Sequence, residues 1–333
     1  MLDPAVIWAA VIAFAVLAYV ILDGFDLGVG ILYPLLRGET ERDIAMNSVA
    51  PVWDGNETWL VMGGGGLLAV FPLAYATILP ALYIPLTVML LALVFRGVAF
   101  EFRWRVKGTK RWWDAAFTGG STLAAFAQGV VLGGLVQGIE VRDRAFAGGP
   151  WDWLTPFSLT TGLALVIGYG LLGATWLVYK THGDLQARAN RIARASGIAM
   201  VALMGVVSLW TPLLNPAFWT RWMSMPAVLL SLAMPILTLG CALWGWRALA
   251  RGYDLQPFLA AIGLFVLSYI GLGVAFYPYI VPTSVTIWQA AAPAESLWFL
   301  LVGAVVLVPV ILGYTAYAYW VFRGKVDPEE GYH

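Results

Sequence analysis

Charge is scarce in this chain and histidine is nearly absent. Only 11% of its 333 residues are Asp, Glu, Lys or Arg, while 61% are hydrophobic, and the mean hydropathy is +0.80. That composition excludes a soluble globular fold and predicts an all-α polytopic membrane protein. The two histidines, His182 and His333, lie in a loop and at the extreme C-terminus. No predicted span carries one, so a histidine-ligated haem within the membrane is not expected of this chain alone. The single cysteine, Cys241, excludes an intrachain disulfide and reads as packing. The glycine run at 63–66 has no following Lys-Ser/Thr, which excludes a phosphate loop. The N-terminus, "MLDPAVIWAA", has no basic region ahead of its apolar run, so it is expected to stay as the first helix rather than be cleaved.

What is abundant is apolar sequence in lengths that fit a bilayer. Nine spans are predicted, at 5–33, 51–71, 77–99, 115–138, 156–179, 194–213, 226–246, 257–279 and 296–322, each near the ~20 residues that a hydrocarbon core requires. The second is the weakest, because Asp54, Asn56, Glu57 and the glycine run lower its hydropathy. The 17 tryptophans recur near span ends, as interfacial side chains do. With nine spans, all of the 19 basic residues except Arg142, Arg144 and Arg221 fall on one side. That asymmetry places the C-terminus in the cytoplasm and the N-terminus outside. No connection is long enough for a soluble domain, so 1–333 reads as a single membrane domain. Gly24 and Gly28 on the first helix, with Gly129, Gly133 and Gly134 on the fourth, predict close helix approaches.

The chemistry has to come from acids. Counting from Trp8 at the outer interface, a rise of ~1.5 Å per residue puts Asp23 roughly 22 Å and Asp26 roughly 27 Å further in, in the cytoplasmic third of the membrane. Acids at that depth must face protein, water or each other, since exposure to lipid costs several kcal/mol. Their i, i+3 spacing puts them on adjacent parts of one helix face. The second span opens with "NSVAPVWDGNETW", where Asn47 or Ser48 is a candidate cap, Pro51 suits a first turn, and Asp54 and Glu57 follow. Acids near a helix N-terminus also have a plain structural explanation in the helix dipole, and Asp23 and Asp26 have one as a hydrogen-bonded brace. A proton pathway through Asp23, Asp26, Asp54 and Glu57 is the functional reading. Arg96 and Glu101, in "FRGVAFEFR" at the inner end of the third span, are candidate charge partners or interfacial anchors.

These same segments carry a resemblance. "DGFDLGVG" (23–30), "NSVAPVWDGNETW" (47–59), "FRGVAFEFR" (95–103), "YPYIVPTSVTIW" (277–288) and "VPVILGYTAYAYWVFRGKV" (308–326) resemble subunit II of cytochrome bd-type quinol oxidases, and the short loops look more like the cyanide-insensitive branch. The resemblance covers the chain from first helix to last. It implies the haem-free subunit of a respiratory complex in the bacterial inner membrane that oxidises quinol and reduces dioxygen to water. No cofactor is then bound by this chain alone. A haem-bearing subunit I is the implied partner, with haems b and d, or b only. Small accessory membrane subunits, quinol and lipid are further candidates, and no nucleic acid is expected. Carried over residue by residue, the family's cytoplasmic proton route falls on Asp26 and Asp54, with Asp23 beside them. Glu57 stands where the family often has Gln, and Gln289 where an acid follows the tryptophan. A proton-coupled transporter, with the glycine run as an unwound helix, and a purely structural subunit are the competing readings.

Overall fold

The computed structural model describes residues 3–106, 108 and 110–326; His333, named above, lies outside the described residues. The chain runs through α1 (Pro4–Leu32), α2 (Gly38–Val49), α3 (Trp53–Val70), α4 (Pro72–Ala81), α5 (Tyr83–Arg105), α6 (Lys110–Gln137), α7 (Pro156–Lys180), α8 (Gly183–Leu214), α9 (Pro216–Trp222), α10 (Ala227–Arg251), α11 (Gln256–Phe276), α12 (Ile287–Ala290) and α13 (Ala294–Val321). Two short antiparallel hairpins interrupt the helices: β1 (Val141–Arg142) with β2 (Ala145–Phe146), and β3 (Tyr279–Val281) with β4 (Val285–Thr286).

Eight helices among the described residues are long and apolar enough to cross a membrane. The expected second span is α3, which falls short because Asp54, Asn56, Glu57 and five glycines occupy so much of it. It still runs antiparallel to α1 over the same depth. Its first turns sit at Leu22 and Asp26, and its last residue, Val70, belongs to the cluster around Ala5 and Trp8. The expected third span divides, with α4 as a separate short helix and a break at Leu82 before α5. The fifth inter-span boundary also moves, since α8 begins at Gly183 rather than 194.

α1 starts sharply because Asp3 caps it, accepting from the Ala5 N–H at 2.9 Å, with Pro4 at the first helical position. The Asp3 carboxylate also accepts from Trp288 Nε1 at 2.7 Å, and that bond holds its pKa below the usual carboxylate range. α7 opens on a reciprocal cap between Thr155 and Ser158. These two helices form the buried centre. They cross at Gly28 and Gly173, where a Cβ on either residue would collide with the backbone of the other helix. The close crossing brings Phe25 into a stack with Trp176, ring centroids 4.3 Å apart. α10 and α13, by contrast, lie at the periphery with little of their apolar surface covered.

At the end where the basic residues collect, α2 is tied down by charge. Arg103, fully buried on α5, pairs with Asp114 and with Asp43, each at 2.6 Å, and its guanidinium lies over the Tyr33 and Trp104 rings. Arg42 adds a second bond to Asp114 at 3.1 Å. Neither Asn47 nor Ser48 caps α3, contrary to expectation, because both lie inside α2. The Ser48 hydroxyl instead donates to the Ala45 carbonyl at 2.7 Å and accepts from Trp176 Nε1 at 3.2 Å. A turn through Pro51 and Val52 then delivers the chain into α3.

Candidate functional site: a buried acid and arginine cluster

Four helices converge where α1 nears its inner end. Asp23 and Asp26 are both buried, at 0% and 1% exposure. From α5, Arg96 reaches across fully buried, its Nη1 2.5 Å from Asp23 Oδ1 and its Nη2 3.0 Å from Glu57 Oε1. The first turns of α3 supply the rest. Trp53, Asn56 and Glu57 recur at i, i+3 and i+4 and so share one face. The Trp53 ring lies under the Arg96 guanidinium at 5.6 Å and stacks on Phe100 at 4.9 Å. A buried arginine is tolerated only when paired, and here two carboxylates and an aromatic face surround it.

Asp26 has different company. Its Oδ2 accepts from Asn56 Nδ2 at 2.6 Å, and the same nitrogen is 3.2 Å from the Leu22 carbonyl. Asn56 Oδ1 accepts from the Tyr319 hydroxyl of α13 at 3.0 Å. Asp26 Oδ1 is buried and has no hydrogen-bond partner among the described residues. Asp23 therefore sits in an ion pair that needs its charge, whereas Asp26 is held by a neutral amide that tolerates either protonation state.

The structure thus brings Asp23, Asp26, Glu57 and Arg96 together and leaves two candidates outside. Asp54 is exposed on α3, two residues and roughly 200° round the helix from Asn56. Glu101 is half exposed, and among the described residues its ion pair is with Arg105 of its own helix, at 3.4 Å, rather than with Arg96 or the buried cluster. The glycine run at 63–66 lies inside continuous α3, not in an unwound segment. His182 is the N-terminal flanking residue of α8, remote from the cluster in sequence and element. Gln289 makes a reciprocal cap with Thr286 at the start of α12. Sequence reasoning missed Asn56 and Tyr319. Asn56 carried a signal, as an amide between two acids near the start of an apolar span, but Tyr319 in "YTAYAYW" is indistinguishable from an interfacial aromatic.

Among the described residues no group of three or more His, Cys, Asp or Glu is arranged to hold a metal ion.

A bundle of many apolar helices, with a paired arginine and two buried acids at its centre, defines an all-α multi-pass membrane protein. The family model for cytochrome bd terminal oxidase subunit II matches residues 4–322, and the chain belongs to that family. It is 29% identical to cytochrome bd-I ubiquinol oxidase subunit 2 of Escherichia coli strain K12, over 97% of this chain and 95% of the relative. It is likewise 29% identical to cytochrome bd ubiquinol oxidase subunit 2 of Bacillus subtilis strain 168, over 97% of both. Its fold superimposes on the structure of bd oxidase from Geobacillus thermodenitrificans with a TM-score of 0.81 at 16% identity, covering 96% of this chain and 99% of the other. The protein is therefore a subunit of a terminal oxidase complex, an oxidoreductase, and a partner subunit and haems belong to that complex.

Proposed function

We propose that this chain is the haem-free subunit of a respiratory quinol:oxygen oxidoreductase, that it stabilises a haem-bearing subunit I, and that it lines a proton-uptake route from the cytoplasm. The observation that carries this reading is Asp26, an acid buried in a membrane span and, among the described residues, bonded to an amide rather than to a cation. In the proposed route, Asp54 and Glu57 collect protons at the inner end of α3 and Asp26 passes them inward. Oxygen reduction then draws its protons from inside while quinol oxidation releases protons outside, so charge is separated without pumping. Asp54 supports a role for the partner as well. An acid exposed on a helix at membrane depth needs protein or water beside it, and the open face of α3, which includes Gly55, Thr58 and Val61, suits close packing of another helix.

One observation favours a different role for Asp23. Its ion pair with Arg96 is fully buried, and such a pair serves best as a brace that fixes α1 against α5. Asp23 is accordingly assigned to structure and Asp26 to proton transfer.

Affinity purification of the tagged chain in mild detergent, followed by a reduced-minus-oxidised spectrum, tests the assembly. Haem bands arriving with a second, larger membrane polypeptide are expected; a stable, colourless single chain would overturn the proposed stabilisation of a haem-bearing subunit I. In that complex, Asp26→Asn and Asp54→Asn should slow oxygen reduction with haem content intact. Wild-type turnover in both variants would eliminate the proton route.

A further inference from the structure

The orientation of the Asn56 amide is fixed by its neighbours. A main-chain carbonyl can only accept, so the Asn56 atom facing the Leu22 oxygen at 3.2 Å is the nitrogen. The amide oxygen is then turned to Tyr319, whose hydroxyl donates to it at 3.0 Å. Asp26 Oδ2, 2.6 Å from the same nitrogen, thus faces an N–H donor and must act as an acceptor whatever the protonation state of the group. The other oxygen, Oδ1, is buried and without a partner among the described residues.

We infer that Asn56, oriented by Tyr319, is a positioning residue that reserves Asp26 Oδ2 as an acceptor and confines the transferable proton to Oδ1. The inference rests on the proposal that Asp26 carries protons, and it specifies the atom that does so. In each transfer the Oδ1–H bond breaks as the proton passes inward, and a new O–H bond forms on the same oxygen with a proton from the cytoplasmic side. No electron moves, and the carboxyl group returns to its starting state. Asp23 and Arg96, both fully buried, hold their own ion pair meanwhile. Tyr319 comes from α13, which is otherwise peripheral, so this hydroxyl links the position of that helix to the geometry of the acid. Its ring lies edge-on to Phe25 and Trp176 at 6.3 and 6.4 Å, contacts that a phenylalanine would keep.

The test is reduced-minus-oxidised infrared difference spectroscopy of the intact complex with its partner subunit, beside turnover and haem content. Loss of one carboxyl C=O band in Asp26→Asn assigns that band. In Asn56→Leu the C=O loses its donor, so the band should move to higher wavenumber and turnover should fall several-fold with haem content unchanged. In Tyr319→Phe the freed amide can turn, and the band should shift or split while the aromatic contacts persist. This milder variant carries the test if Asn56→Leu does not assemble. An Asp26→Asn effect on turnover with unmoved bands in both positioning variants would overturn this inference alone. A shift in Asn56→Leu only would overturn the part assigned to Tyr319. Unchanged turnover and no lost band in Asp26→Asn would overturn the parent reading, and this one with it.

Discussion

Arg96 is the residue on which the site depends most. It bridges Asp23 of α1 and Glu57 of α3 from within α5, so replacing it by leucine strands one fully buried carboxylate and one partly buried one. Breaking a buried pair from one side costs about 3–5 kcal/mol, and Arg96→Leu should therefore reduce the yield of assembled complex in detergent, read by size-exclusion chromatography. Lysine should rescue only in part, because a single ammonium cannot present the fork that serves two carboxylates. A monodisperse Arg96→Leu complex at wild-type yield would show that the pair is dispensable. The burial of Asp23 and Asp26 was legible from their place within an apolar run, and Arg96 was legible as a nearby cation. What the sequence could not carry was the sorting of partners. Which acid takes the arginine depends on how α5 is rotated against α1, a tertiary fact with no local signature. Nor could it assign Asp54 to the exposed side of α3, since that depends on which face packs on α1.

At the scale of elements, helices meet here through small residues and are fixed at their ends by charge. The Gly28 and Gly173 crossing leaves no room for a side chain. Gly28→Val should force α1 from α7 and separate Phe25 from Trp176, at a cost of about 1–3 kcal/mol or more for overpacking. Thermal unfolding of the purified complex should report it as a lowered Tm, while Gly64→Ala on α3, which meets nothing within 4 Å in this chain, provides the comparison. An unchanged Tm in Gly28→Val would contradict the close crossing. Arg103 plays the corresponding part for α2. Arg103→Met leaves Asp43 and Asp114 without their shared cation, although Arg42 still reaches Asp114. Limited proteolysis should then cut near residues 37–50 faster than in the wild type; equal rates would mean that the pairs contribute little. The glycine pattern foretold close packing because small residues are the common means of helix approach in a membrane. The α4 and α5 division falls at Leu82, between Pro80 and Pro85, residues whose rings and missing N–H groups bend or end a helix.

Across the whole molecule, polarity is segregated by end. Arg142 and Arg144 flank the β1 and β2 hairpin, and Arg221 donates to the Ala275, Phe276 and Tyr277 carbonyls at the outer end of α11. At the other end Lys180 Nζ donates to the Phe322 and Gly324 carbonyls at 2.5 and 2.6 Å, and Lys325 pairs with Asp254 at 2.7 Å, which ties the segment after α13 to α7 and α11. The positive-inside rule makes this second end cytoplasmic. A fluorescent-protein fusion at the C-terminus should glow in cells and an alkaline phosphatase fusion there should be inactive; the reverse pattern would invert the proton route. The fold class and eight of the nine expected spans were legible from apolar run length, because a bilayer imposes that length on a span. α3 tested the limit of that logic. Its polar residues lower its hydropathy because they serve the site, so the least membrane-like helix is the one that carries Asn56 and Glu57 to the acids.

The most direct measurement is the rate of proton uptake from the cytoplasmic side during the reaction of the fully reduced complex with oxygen, followed with a pH-indicating dye in wild type and Asp26→Asn. The account predicts that haem oxidation begins at the normal rate in the variant while proton uptake is slowed with the later steps that need it. Proton uptake at the wild-type rate, with haem oxidation also unchanged, would contradict a route through this subunit and leave the buried cluster as a brace.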